Sequence, residues 1–209
     1  MDARLSHPFR MVISGVSGSG KSKWVANLLQ NHELMITPKI NRVIYYYQVF
    51  QDDFYHLRNN GIVDEFIKGI PDEETFQRKS RIGPTLFVID DAMAEKNVDK
   101  KMDKIYTISR HMDASIIFLS QNFFHNNMRT ISRNSCYFVF MENERDQGQM
   151  STLAHQLDRK VLVPAYKDAT RTPFSYLFID IKPGRNKKLG LRARIFPHEA
   201  PMVVYQSVT

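Results

Sequence analysis

Apolar residues fall into two alternating patterns along this chain. Short runs, nearly all apolar, recur within 9–14, 41–47, 85–91, 114–120, 135–141 and 174–181. Each has the length of a strand, and unbroken runs of this kind suit strands covered on both faces. Between them the spacing changes. Trp24, Val25, Leu28 and Leu29 share one helical face. So do Val98, Met102, Ile105 and Ile108, and later Met150, Leu153, Ala154 and Leu157. These sets predict helices over about 20–31, 98–112 and 146–157. Smaller elements fill the first half. A short helix is expected over 51–60, stopped by Asn60-Gly61. A short strand follows over 62–67, then a helix opening at Pro71-Asp72-Glu73-Glu74 with acid in its first turn. Strands alternating with helices predict an α/β fold whose central sheet is mostly parallel. No internal repeat or low-complexity stretch interrupts the pattern.

The first strand leads into chemistry. Gly15-Val16-Ser17-Gly18-Ser19-Gly20-Lys21-Ser22 fits G-x-x-x-x-G-K-[ST] without a mismatch, and Lys23 follows it into the first helix. The glycines let the backbone turn its N–H groups toward phosphate oxygens, and the helix adds its positive end. Lys21 can reach the β- and γ-phosphates, and the Ser22 hydroxyl can ligate Mg²⁺. The alternative is an accidental match in a Gly/Ser loop. The strand before it and the helix after it favour a nucleotide site.

A nucleotide-bound metal needs a carboxylate opposite that loop. Thr85-Leu-Phe-Val-Ile-Asp90-Asp91 is the clearest strand in the chain and ends in two. Asp90 fits the metal-holding role, and Asp91 can orient and deprotonate an attacking water. A pair of acids capping the following helix is the structural alternative. Gln121 lies just past the strand over 114–120, where an amide can touch the γ-phosphate or the attacking water; otherwise it is a turn residue. Arg110, just before that strand, can neutralise charge on a transferred phosphoryl group, or be a surface arginine.

Composition narrows the partners. The 209 residues are 43% apolar, enough for a full core in one domain over 1–209. Lys and Arg number 29 against 22 Asp and Glu, a net charge of +7, which tilts the expected partner toward an anion, nucleic acid above all. Cys136 is the single cysteine, so neither a disulfide within the chain nor a cysteine zinc site is possible, which suits a reducing, intracellular setting. No leader and no run of 18 apolar residues is present, so no membrane segment is expected. The stretch 182–194 holds Lys182, Arg185, Lys187, Lys188, Arg192 and Arg194 without an acid. It is expected either to contact DNA phosphates or to be a solvated surface pair of strands.

With the P-loop, Ile89-Asp-Asp91, Arg110-His111 and Ile117-Phe-Leu-Ser-Gln121 together, the chain resembles the viral DNA-packaging ATPases of the poxvirus type. These belong to the FtsK/HerA superfamily, with relatives in large DNA viruses, virophages, and Polinton and adintovirus elements. The resemblance runs from about 9 to 141. It includes Ile44-Tyr-Tyr-Tyr47, Gln51 and Tyr55, and Met128-Arg129 to Arg133-Asn134. It implies a RecA-like P-loop NTPase of the ASCE type, with the strand before Gln121 lying between the P-loop strand and the Asp-Asp strand. It implies hydrolysis of ATP with Mg²⁺ by a homo-oligomeric ring, a pentamer or hexamer. That ring threads double-stranded DNA into a preformed capsid in the host cell. By motif position Lys21 and Ser22 hold phosphate and metal, and Asp90 is the metal carboxylate. Asp91 is the catalytic carboxylate, Gln121 the sensor and Arg110 the arginine finger, with Arg133 its substitute. Other classes remain: a translocase or helicase outside packaging, a P-loop kinase or GTPase, or a non-hydrolysing DNA- or capsid-binding component. A GTPase should carry Asn-Lys-x-Asp, which is absent, and the late basic segment lies too far along to be a kinase lid.

Overall fold

The computed structural model describes residues 2–90, 98–121, 129–143, 147–157 and 160–207. In chain order the elements are β1 (Leu5–Ser6), β2 (Arg10–Ser14), α1 (Lys21–Gln30), α2 (His32–Met35), β3 (Ile36–Thr37), β4 (Arg42–Tyr47) and α3 (Asp53–Asn59). Then come β5 (Glu65–Lys68), α4 (Glu73–Ser80), β6 (Thr85–Ile89), α5 (Val98–Ile108), β7 (Ala114–Ser120), α6 (Arg129–Asn134) and β8 (Tyr137–Met141). The chain ends with α7 (Gln147–Gln156), α8 (Leu162–Ala169), β9 (Tyr176–Asp180), β10 (Leu191–Ala193) and β11 (Val203–Val204).

Among the described residues, nine strands form one sheet in the order β11-β10-β9-β8-β2-β7-β6-β4-β5. The six strands from β8 to β5 run parallel. β9, β10 and β11 continue the sheet antiparallel. β1 and β3 pair separately. β7 lies between β2 and β6, with Ile13 beside Leu119 and Phe118 beside Ile89, which is the strand order the resemblance implied.

Period-two alternation divides the strands between two cores. Val12, Ile116 and Phe118 face the side packed by Met102, Ile105, Tyr106 and Met150. Met11, Ile13, Ile117 and Leu119 face Trp24, Val25, Leu28 and Leu29 of α1, with Phe54 and Leu57 of α3. Both faces being covered explains the absence of polar alternation in β6 and β7. Burying side chains such as Leu28 and Leu29 stabilises the fold by about 1.5–3 kcal/mol each.

Several expectations shift. The helix read over 98–112 stops at Ile108, and Ser109–His111 tightens into a 3-10 turn. The short strand read over 62–67 forms at Glu65–Lys68, paired with β4. The helix read from Pro71 opens at Glu73, where the Asp72 side chain accepts from the Thr75 N–H at 2.7 Å.

The basic stretch 182–194 is corrected more deeply. Arg192 is not a surface cation. It is 1% exposed, 3.4 Å from Asp180, donates to the Ala3 carbonyl at 2.7 Å and lies 4.7 Å above the Phe178 ring. Lys182 donates to the carbonyls of Ser6 and Pro8, and Arg185 lies 3.6 Å from Asp180. Half of the six cations therefore hold this edge of the sheet together, because β10 turns its middle residue inward. Lys187, Lys188 and Arg194 remain exposed.

Candidate nucleotide-binding site

The site forms where three parallel strands end side by side. β2 stops at Ser14, and the Gly15 N–H donates to the Ser120 carbonyl at 3.3 Å, tying the loop to the end of β7. Glycine is required at Gly15 by space. A Cβ there would lie 2.5 Å from Ser19 Oγ and 2.9 Å from Met141 Cβ. At Gly20 it is required by conformation, since φ is 100° as the chain enters α1. Gly20 has no side chain with which to cap α1, and no acid sits in the first helical turn. The positive end of α1 thus faces the cleft unneutralised by its own first turn. The Lys21 ammonium folds over the loop, donating to the carbonyls of Gly15 at 2.7 Å and Val16 at 2.9 Å.

β6 delivers Asp90 to the same place, 6% exposed, its N–H donating to the Tyr46 carbonyl at 2.9 Å. One carboxylate oxygen accepts from the Tyr45 hydroxyl at 2.8 Å and from the Ser22 hydroxyl at 3.4 Å. Burial first, and then the Asp90 charge, push the Tyr45 phenol well above its ordinary pKa, so it stays a donor. The Ser22–Asp90 spacing fits two neighbouring ligands of one small octahedral ion, whose adjacent oxygens lie about 3 Å apart. Among the described residues no cluster of three or more His, Cys, Asp or Glu could hold a metal alone.

Ser17, Gly18, Gly20, Lys21, Ser22, Lys23, Asp90 and Gln121 all line one cleft of about 300 Å³. Val16 and Ser19 belong to the loop outside that lining, with Val16 43% exposed. Asp91 lies outside the described residues. Arg110 and Arg133 are not brought in. Arg110 is exposed in the turn before β7, eleven positions from Gln121, with the whole seven-residue strand, about 20 Å long, between them. Arg133 is exposed at the end of α6, where the neighbouring Asn134 carbonyl accepts from Arg10 Nε at 2.6 Å, at the start of β2. Both stand at the opposite end of the strands.

Two cleft residues, and the buried Tyr45 behind Asp90, escaped reading of the sequence as site residues. Tyr45 sits inside a strand and reads as core. Gln51 lies in the loop after β4 and lines the cleft; its place in the family-like stretch was the one available signal. Phe174 comes from the far C-terminal part and also lines the cleft; no local signal announces it.

The chain and its fold have known counterparts. Residues 1–163 match the family described as Poxvirus A32 protein. No curated protein sequence matches the chain. Among solved structures, the genome packaging NTPase B204 from Sulfolobus turreted icosahedral virus 2, in complex with sulfate, superposes with a TM-score of 0.56. Identity is 13%, over 96% of this chain and 97% of that one. The same protein in complex with ATP-gammaS gives a TM-score of 0.53 at 14% identity, with both chains wholly covered. The KaiC-like protein PH0186 from Pyrococcus horikoshii OT3 gives 0.51 at 10% identity, over 96% and 90% of the two chains. At such identities the structural likeness establishes the RecA-like P-loop fold.

Proposed function

The chain belongs to the Poxvirus A32 protein family, and from that premise and the geometry of its cleft we propose that it is an ATP-hydrolysing motor that drives double-stranded viral DNA into a preformed capsid. The observation that carries the reading is the meeting of Lys21, Ser22, Asp90 and Gln121 in one cleft at the ends of β2, β6 and β7. A P-loop alone would support binding. A buried carboxylate facing the P-loop serine, with an amide beside them, supports hydrolysis.

In this reading the loop N–H groups and the start of α1 bind the β- and γ-phosphates. Lys21 exchanges its loop carbonyls for phosphate oxygens. Ser22 and Asp90 would hold Mg²⁺, which supplies charge neutralisation on the phosphates when bound. Tyr45 keeps the Asp90 carboxylate aimed at Ser22. Gln121 positions the attacking water, and Asp91 takes its proton. Each turnover changes what Gln121 touches, and β7 runs from there to Arg110 at the other end of the strand, a route from phosphate state to subunit boundary. Arg110 is too far along β7 to serve its own cleft, so the finger role belongs to a neighbouring subunit in a ring, with Arg133 the substitute. Lys187 and Lys188 stay available to DNA phosphates, whereas Arg192 does not. The motor works in the host cell, where virions assemble.

The test is ATP hydrolysis with and without duplex DNA. Turnover stimulated by duplex and abolished in Lys21→Ala supports the motor. Turnover indifferent to DNA would leave an ATPase that does not drive DNA. Mixing inactive Arg110→Ala with inactive Lys21→Ala should restore part of the activity, because one mixed interface is complete. A mixture that forms rings and stays inactive moves the finger to Arg133. Replacing Lys187 and Lys188 together should reduce the slope of log affinity against log salt by about 1.8.

A further inference from the structure

Arg110 sits in a turn whose two ends are fixed by different parts of the molecule. On one side Ser109 is buried, and its hydroxyl donates to the Tyr106 carbonyl at 2.9 Å. On the other, the Asp113 carbonyl accepts from the Thr85 N–H at 3.2 Å, and the Met112 N–H closes the turn on the Ser109 carbonyl at 3.3 Å. Arg110 and His111 are exposed between these anchors. The Asp113 side chain is 54% exposed, yet it is held. His7 Nε2 lies 2.7 Å from it, on an imidazole that is 1% exposed.

His7 can hold it because the ring is satisfied on both sides. Nε2–H donates to Asp113, Nδ1 accepts from the Ser115 hydroxyl at 2.6 Å, and that hydroxyl accepts from the Phe9 N–H at 3.0 Å. One neutral tautomer makes all three bonds. The segment that carries His7 is clamped in turn. Arg192 donates to the Ala3 carbonyl at 2.7 Å, Arg185 to the Arg4 carbonyl, and Lys182 to the carbonyls of Ser6 and, at 2.7 Å, Pro8. The Ser6 N–H donates to the Tyr137 hydroxyl at 3.0 Å, and the His7 N–H to the Thr37 carbonyl at 2.8 Å. Three cations of the late basic stretch thus grip one short segment, and His7 passes that hold on to the Arg110 turn. An apolar residue could fill the same space. A donor at the Nε2 position is what ties the segment to Asp113, three residues past Arg110.

We propose that His7 is a positioning residue for hydrolysis: through Asp113 it fixes the direction in which Arg110 leaves its turn toward the nucleotide of a neighbouring subunit. The inference rests on the reading above in which Arg110 serves that subunit. It also gives Lys182, Arg185 and Arg192 a part in the chemistry, as the clamp behind His7. Orientation matters at this distance from the reaction, since a displacement of about 1 Å can cost on the order of 100-fold in rate.

Two substitutions separate the bond from the packing. His7→Gln keeps a donor where Nε2 stands, and His7→Asn keeps only the bond toward Ser115. His7→Asn should lower kcat for ATP by about tenfold to a hundredfold with KM unchanged, and Asp113→Ala should match it. His7→Gln should stay close to the parent chain. Mixing gives a readout that mere loss of structure would not. His7→Asn mixed with Lys21→Ala should regain activity, because the P-loop of the first meets a well-placed Arg110 from the second. Mixed with Arg110→Ala it should regain none, since neither variant donates a working finger. Parent-like turnover in His7→Asn overturns the proposal. So does a loss in His7→Gln as large as in His7→Asn, which would make the ring a packing element. No recovery with Lys21→Ala in rings that assemble would put the defect elsewhere than the finger and overturn it too. If Arg110→Ala itself turned over at the parent rate, the finger reading would fall first, and this one with it.

Discussion

Two aspartates of this sheet come from nearly the same sequence and serve opposite ends of it. Asp90 follows Leu86-Phe-Val-Ile, and Asp180 follows Leu177-Phe-Ile. Both are buried, at 6% and 5% exposure. β6 runs parallel to its neighbours, so Asp90 emerges at the strand ends where the P-loop begins, held by the hydroxyls of Tyr45 and Ser22. β9 runs antiparallel to β8, so Asp180 falls opposite Tyr137 at the other edge, between Arg192 and Arg185. One carboxylate faces a ligand cleft. The other is neutralised by arginines of its own chain. An apolar strand ending in acid is therefore half of a nucleotide site only if its direction brings the acid to the phosphate loop.

Exchanging each aspartate in turn is the sharpest way to break that comparison. Asp90→Ala should lower ATP turnover by about 10³-fold or more, with the melting temperature within about 4 °C of the parent. Asp180→Ala should do the reverse. It leaves the Arg192 charge buried without its carboxylate, which costs about 3–5 kcal/mol of unfolding free energy in urea titrations. Turnover per folded molecule should hold. Loss of turnover in a well-folded Asp180→Ala would mean that the far edge takes part in the chemistry.

Tyr45→Phe sharpens the cleft side with a smaller effect. Removing the hydroxyl takes away one of the bonds that orient the Asp90 carboxylate, so half-saturation by Mg²⁺ should need about tenfold more metal. The maximal rate at saturating Mg²⁺ and the melting temperature should move little. A metal dependence identical to the parent's would reduce Tyr45 to packing.

The smallest effect belongs to the far edge. His7 is buried there, with Nε2 2.7 Å from Asp113 and Nδ1 2.6 Å from the Ser115 hydroxyl, which in turn accepts from the Phe9 N–H. Burial lowers its pKa below the ordinary 6.5, and the opposing pull of Asp113 is weaker. The unfolded chain then binds the proton more readily than the folded one. Stability should be flat above pH 6.5 and fall as the pH drops below it. His7→Gln should flatten that decline in thermal melts taken from pH 8 to pH 5.

The P-loop side of the cleft was legible because it is contiguous. Gly15 to Ser22 builds its own turn, and burial on both faces writes β6 and β7 as unbroken apolar runs. The helix of α1 and the strand β4 were readable for the same reason of length. The rest was not. β1, β3, β10 and β11 have two or three residues each, too few to carry a period. α8 carries Pro164, which reads as a helix breaker but sits in the first turn, where no backbone partner is lost.

By itself the sequence determined the P-loop turn, the acid that ends β6 and the strand–helix alternation behind a mostly parallel sheet. These depend on neighbours in the chain, and local backbone geometry follows from local residue types. Only the tertiary structure decided that Asp180 is structural, that Arg192 is core and that Arg110 stands at the wrong end of β7 for its own cleft. It alone brought Phe174 to Gly20 across more than 150 positions. Strand direction and side-chain partners across the sheet are products of packing, and no spacing within one segment records them.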